Sequence, residues 1–184
     1  IIIDGVKYVS VVSVEDLTNA LKGGADVITL GADITVTEKW DNRYTGAKTS
    51  KEIIINGNGN TLKFACEVSD GFNYQAAFRF EAPAVVKNLT IDMSEVTDNR
   101  FRAISSKGNL TVDGCKFIGK DESLNCRAII FGEGAGANVG NLAISITNSE
   151  FINWKRGITD NENAQDVKTV TITGNKLTDA GVGV

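Results

Sequence analysis

Three arginines open segments of the same kind: Arg102-Ala-Ile, Arg127-Ala-Ile and Arg156-Gly-Ile. A guanidinium presents a planar fork of donors, so three in a row could hold a carboxylate-bearing sugar through paired hydrogen bonds. Each arginine lies two residues before an apolar isoleucine, which on a regular strand would turn it inward. The reading therefore favours a turn position, with the head in solvent and paired with Asp98, Asp121 or Glu122. Asp92 and Asp113 end two similar segments, Leu89-Thr-Ile-Asp and Leu110-Thr-Val-Asp, and are expected to stack at one corner. Stacked carboxylates want a cation, and Ca²⁺ is the metal considered. Calcium takes six to eight oxygens, and only Glu95 and Asp98 are obvious additions, so solvated turn carboxylates are the favoured reading. Rings that stack on pyranose faces give a third candidate set: Trp40 and Tyr44 in one irregular segment, Phe72 and Tyr74 in another. Loop aromatics more often lid a core edge, but these four could converge beside the early repeats.

Missing residue types narrow the chemistry. Histidine is absent from all 184 residues, which removes Ser-His and Cys-His nucleophile pairs, imidazole zinc sites and any histidine acid or base. Three cysteines are too few for a disulfide scaffold. Cys115 and Cys126 are near enough in sequence to pair, leaving Cys66 over, but buried free thiols are the preferred reading. Net charge is −4 with both signs scattered, so no basic run offers itself to nucleic acid. No apolar stretch reaches the roughly 20 residues needed to span a bilayer.

The elements that must position these residues follow from a repeat. Leu89-Thr-Ile-Asp, Leu110-Thr-Val-Asp, Ile144-Ser-Ile-Thr and Val170-Thr-Ile-Thr recur at 21 to 34 residues, each followed seven residues after its first by Val96, Phe117, Phe151 or Leu177. Recurring short alternating strands mark a solenoid, in which each unit buries its apolar face only by stacking on its neighbours. One strand series is anchored at Ile28, Ile53, Leu89, Leu110, Ile144 and Val170, and another at Phe78, Ile104, Ile129, Ile158 and Val182. With the seven-residue offset this gives three short strands per coil. The fold expected is all-β, a right-handed single-stranded parallel β-helix, its hand set by the rule for parallel crossovers. Ahead of it, Ser13 can cap a helix over 14–22, with Val14, Leu17 and Leu21 on one face and Gly23 at its end. A single domain is expected over 1–184: an N-terminal strand and cap helix over 1–24, then coils over 25–184. Gly57, Gly114, Asn148 and Gly174 are its turn residues, and 37–51, 65–76, 118–126 and 132–141 its irregular insertions.

Stacking would raise outward columns of Thr29, Ile54, Thr90, Thr111, Ser145 and Thr171, and of Gly31, Asn56, Asp92, Asp113, Thr147 and Thr173. An exposed parallel sheet chooses threonine for β-propensity alone, and the aspartates break the array an ice-ordering face would need. The units Asn109-Leu-Thr-Val-Asp-Gly-Cys-Lys-Phe117 and Ile144-Ser-Ile-Thr-Asn-Ser-Glu-Phe-Ile152 resemble the pectate-lyase-like family of parallel β-helices, over roughly 25–184. That resemblance implies an amino-terminal cap helix. In its lyase branch it implies Ca²⁺ held by acidic residues of neighbouring coils, with an Arg or Lys as base beside a uronate carboxylate. The Asn-Thr-Asp, Asp-Asp, Gly-His-Gly and Arg-Ile-Lys segments of the hydrolase branch are all absent here. Fold alone does not carry function. The leading expectation is a non-catalytic, bacterial, adhesin-like module, secreted or at the cell surface, that binds polysaccharide or a surface protein. A polysaccharide lyase and a structural spacer are the alternatives. The sequence stops at Gly-Val-Gly-Val184 within what should be another coil, so association through an uncapped C-terminal coil, or membership of a longer chain, is also expected.

Overall fold

Ser13 begins the first helix as its type requires. Its hydroxyl accepts the Asp16 amide at 3.1 Å, and helix α1 (Val14–Lys22) follows, with Glu15 and Asp16 at its positive end. Leu17, Ala20 and Leu21 are buried, and Gly23 and Gly24 end the helix, the second with φ +64°. The structure, a computed structural model, describes residues 1–69, 76–121, 123–132, 142–160 and 167–180, with backbone alone at 167 and 168.

Among the described residues the strands form three long sheets whose pairing is parallel throughout the coils. The first sheet runs Val6–Val11, Val27–Leu30, Ile53–Asn56, Ala84–Lys87, Leu110–Asp113, Leu142–Thr147, Val167–Thr173, and is extended at its start by antiparallel Ile2–Ile3. The second runs Ile34–Val36, Thr61–Phe64, Thr90–Asp92, Lys116–Ile118, Glu150–Ile152, Lys176–Thr178. The third runs Lys48–Thr49, Ala76–Phe80, Arg102–Ser106, Arg127–Phe131, Arg156–Asp160. This is a parallel β-solenoid. Alternate residues of each strand enter one core that runs the length of the stack, in columns such as Ile34, Leu62, Ile91, Phe117, Phe151. The rings of Phe117 and Phe151 stack at 5.1 Å. The first sheet starts one coil before the other two. Helix α1 packs against Val6–Val11 and Ile34–Val36 in the place of those missing strands, covering the N-terminal end of the core.

The corner between first and second sheets is a ladder of its own. Asn88, Gly114, Asn148 and Gly174 have φ of +50°, +61°, +51° and +68°, and stack in alternation. A Cβ at Gly174 would stand 2.7 Å from the Asn148 side-chain oxygen, so the alternation is steric as well as conformational. Leu89, after Asn88, enters the core, but the residues after Gly114, Asn148 and Gly174, and Asn60 in an earlier coil, turn toward the backbone of their neighbours. Asn60 donates to Leu30 O, the Cys115 thiol to Val86 O, and Asn175 to Ile146 O, while the Ser149 hydroxyl accepts the Cys115 amide. Carbonyls and amides left over where the strands bend are satisfied there.

The register differs from the sequence reading in the early coils. Ile28 pairs with Ile55 rather than aligning with Ile53. Leu89-Thr-Ile-Asp belongs to the second sheet, and the first-sheet strand of that coil is Ala84–Lys87. Val96 is buried in the connection after that strand and is not in the second sheet. Strand and turn do not make up everything after α1. The segment 37–51 holds the two-residue strand Trp40–Asp41, a single helical turn Asn42–Thr45, and the third-sheet strand Lys48–Thr49. Val182 lies outside the described residues.

Candidate functional site

The arginine column is real as a register. Ala76, Arg102, Arg127 and Arg156 pair in succession at the start of the third-sheet strands. Its environment is not the uniform solvent expected: Arg102 is buried, Arg127 intermediate and Arg156 exposed. Arg102 and Arg127 both have interaction partners, so the column is not a row of free cations. Asp121, one of the expected partners, accepts the Ser123 amide at 2.7 Å, and that bond holds its carboxyl below the usual range.

Asp92 and Asp113 are not brought together. Asp113 pairs in the first sheet with Lys87 and Thr147, whereas Asp92 pairs in the second with Lys63 and Ile118. The two Leu-Thr-hydrophobic-Asp segments look alike but occupy different sheets, so no shared carboxylate corner exists for a cation. Asp92 accepts the Ser94 amide at 2.9 Å. Asp113 accepts from Thr147 Oγ1 at 2.7 Å and Asn148 Nδ2 at 2.9 Å, which lowers its pKa. Among the described residues no three His, Cys, Asp or Glu side chains converge as a metal site.

The aromatic set separates too. Trp40 is fully buried, donates its indole N–H to Ala77 O at 2.8 Å, and packs edge-on against Phe64 and Phe78. No sugar can stack on it. Trp154 does the same a few coils on, donating to Phe117 O at 3.0 Å. Tyr44 is exposed, with the Arg43 guanidinium 5.0 Å over its ring, and Arg43 in turn forks onto Asp41. Phe72 and Tyr74 lie outside the described residues.

Ionic and thiol groups are mostly matched in place. Glu150 stands between Lys116 at 3.2 Å and Lys176 at 3.1 Å, and both lower its pKa. A depression of about 280 Å³ beside the end of α1 is rimmed by Lys22, Lys48 and Lys51, but Lys51 already binds Asp26 at 2.5 Å and Lys48 approaches Glu81 at 3.6 Å. All three cysteines are free and buried. Burial raises the pKa of each, that of Cys115 to about 11, so none is a poised nucleophile.

What sequence reasoning missed is the outer face of the first sheet. Tyr8, Val27, Ile54, Val85, Thr111, Ser145 and Thr171 form one outward column, each paired with the next. Its first four members are an aromatic and three aliphatic side chains, and its last three are threonine or serine. Ile3 lies opposite Val6, and Ile1 exchanges backbone hydrogen bonds with Tyr8, so both isoleucines project from this same face. Ile1, Ile3 and Tyr8 are exposed, while Val6, Val27, Ile54 and Val85 are partly so.

No family model, curated protein or solved structure matches this chain.

The described helices include none long and apolar enough to cross a membrane. Among the described residues, the apolar half of the first sheet's outer face is the surface feature that sets one part of the molecule apart from the rest.

Proposed function

We propose that this chain is a non-catalytic, adhesin-like solenoid module, secreted or displayed at a cell surface, that docks a partner protein on the N-terminal half of its first sheet. The observation that carries this reading is the contiguous outward patch of Ile1, Ile3, Val6, Tyr8, Val27, Ile54 and Val85. Solvated sheet faces ordinarily alternate toward polar residues, as this sheet does from Thr111 onward, and a clustered apolar patch marks an interaction surface. Tyr8 supplies the kind of amphipathic ring that anchors protein interfaces. A protein partner is favoured over glycan because Trp40, the strongest sugar-stacking candidate, is in the core. Kinship with the pectate-lyase-like family belongs to the same proposal, supported by three sheets per coil and a cap helix.

The test is affinity capture with the wild type and with Ile54→Lys/Val85→Lys, whose altered side chains lie outside the core. The wild type is expected to retain a protein that the variant loses while circular dichroism stays the same. Identical captured sets would overturn the reading. One observation favours a second reading, a lyase acting on acidic polysaccharide: the in-register Arg102, Arg127 and Arg156. Release of unsaturated uronate from such a polymer, with or without added Ca²⁺ and lost in Arg156→Ala, would establish it.

A further inference from the structure

Among the described residues, the first strand of the third sheet is bare along one edge. Lys48–Thr49 pairs only with Ala76–Phe80, where the Arg79 and Glu81 amides donate to Ala47 O and Thr49 O. Peptide groups alternate sides along a parallel strand, so the Lys48 amide and carbonyl face away from that partner. A depression of about 280 Å³ lies between this strand with its turn, Lys48 to Ile53, and Leu21, Lys22, Gly24 and Ala25 at the end of α1. Gly46 holds the two segments close, since a Cβ there would stand 2.8 Å from the Lys22 amide nitrogen.

The polar groups around the depression are unevenly satisfied. The last carbonyls of α1 are already answered: Gly23 O accepts from Lys7 Nζ at 2.7 Å and Gly24 O from Lys51 Nζ at 3.1 Å, and Lys51 also binds Asp26. Lys48 reaches Glu81 at 3.6 Å, but Lys107 approaches the same carboxylate oxygen at 3.4 Å. Among the described residues no carboxylate or carbonyl pairs with Lys22, which is exposed on the rim. Thr49 also lines the depression; it is 9% exposed, and its hydroxyl has no hydrogen-bond partner. A buried hydroxyl that the protein leaves unpaired is accounted for by a partner from outside.

We infer that this depression binds a compact oxyanion, a phosphate or sulfate group, carried on a body the size of one sugar. Most of what converges there is donors: the Lys22 and Lys48 ammoniums, the Lys48 amide, and the Thr49 and Ser50 hydroxyls. A tetrahedral oxyanion takes several donors at once, and lysine serves it as a point charge. The volume exceeds the bare anion yet falls just short of the usual range for drug-sized ligands, which suits a single small ester. Leu21, Ala25 and Ile53 give it an apolar wall. Glu52 is exposed on the same rim and opposes added negative charge, so the site admits one anionic group rather than a polyanion. Ile53 is buried and Ile54 faces outward, so this site is separate from the apolar outer face.

Isothermal titration calorimetry with glucose 6-phosphate, glucose 6-sulfate, inorganic phosphate and glucose tests this. Both esters should bind at a single site, inorganic phosphate more weakly and glucose not at all; the tighter ester identifies the anion. Rising salt should weaken the binding. Lys22→Gln should lower affinity about 10-fold or more, as loss of a charged donor does, and Thr49→Val should lower it too. Glu52→Gln should raise it. Lys22 and Glu52 are both exposed, so these two variants keep the fold, which circular dichroism checks. Lys176→Gln removes the same charge at the far end of the second sheet and should leave affinity unchanged. No saturable binding of either ester, or equal affinity in Lys22→Gln and Lys176→Gln, would overturn the inference. Inorganic phosphate binding as tightly as the esters would overturn the sugar-sized body.

Discussion

A tryptophan in a loop segment is ambiguous by nature, since the same ring can lid a core or meet a sugar. Here the indole N–H decides it: Trp40 and Trp154 each reach a carbonyl, Ala77 O and Phe117 O, with aromatic neighbours closing over the ring. Truncating Trp40 to alanine is expected to cost about 3–5 kcal/mol in denaturant titrations, the range for large aromatics in a core. A cost below about 1 kcal/mol, typical of surface sites, would mean the ring is not packed as described. The cysteines give a second test at this scale. With all three thiols buried and their pKa values raised, none should react with a thiol reagent in the native protein at neutral pH, and all three should react after denaturation. Rapid native labelling at Cys115 would contradict the corner ladder. Cys115 was legible as a small buried residue, but its bond to Val86 O depends on the neighbouring coil. The sequence held no sign of which coil that would be.

Within the coils, glycine serves two different purposes, and substitution should separate them. A Cβ on Gly57 would run into the Leu89 backbone and the Asn88 carbonyl, which no rotamer can relieve. Gly59 has φ +83° and open space around it, so alanine there meets only the conformational penalty, about 1 kcal/mol. Gly57→Ala should therefore lower the thermal midpoint markedly more than Gly59→Ala; equal losses would refute the close approach of the coils at that corner. The carboxylates that bridge coils predict an acid response. Lys51 lowers the pKa of Asp26, Thr147 and Asn148 that of Asp113, and Lys176 and Lys116 that of Glu150. A carboxyl with a depressed folded-state pKa stabilises fully above its unfolded value and loses that contribution as pH falls through the folded one. The midpoint should thus hold from neutral pH down to about 5 and decline below about 4, less steeply in Glu150→Gln. An unchanged slope in that variant would remove Glu150 from the account. Strand periodicity was legible wherever coils repeat at constant length, as from Ile144 to Val170 and from Phe151 to Leu177. It failed where two sheets carry the same motif. Leu89-Thr-Ile-Asp and Leu110-Thr-Val-Asp match residue for residue in type, yet Ala84-Val-Val-Lys, with smaller side chains, is the true counterpart of the latter. That error alone produced the supposed Asp92–Asp113 pair.

Across the whole molecule, the outer face of the first sheet changes character between Val85 and Thr111. This asymmetry does not show in composition, because it arises from which residues the register places side by side. The parallel solenoid and its cap helix could be read from the sequence, and the apolar half of the first sheet's outer face could not, since a shift of two residues at Ile53 mixed apolar and hydroxyl positions into one column. The most direct measurement is a surface-binding titration of a captured partner protein against the wild type and Ile54→Lys/Val85→Lys. Two central interface residues at about 2 kcal/mol each, partly non-additive, should weaken binding about 100-fold or more. Equal affinity for both proteins would contradict the assignment of this face as the recognition surface.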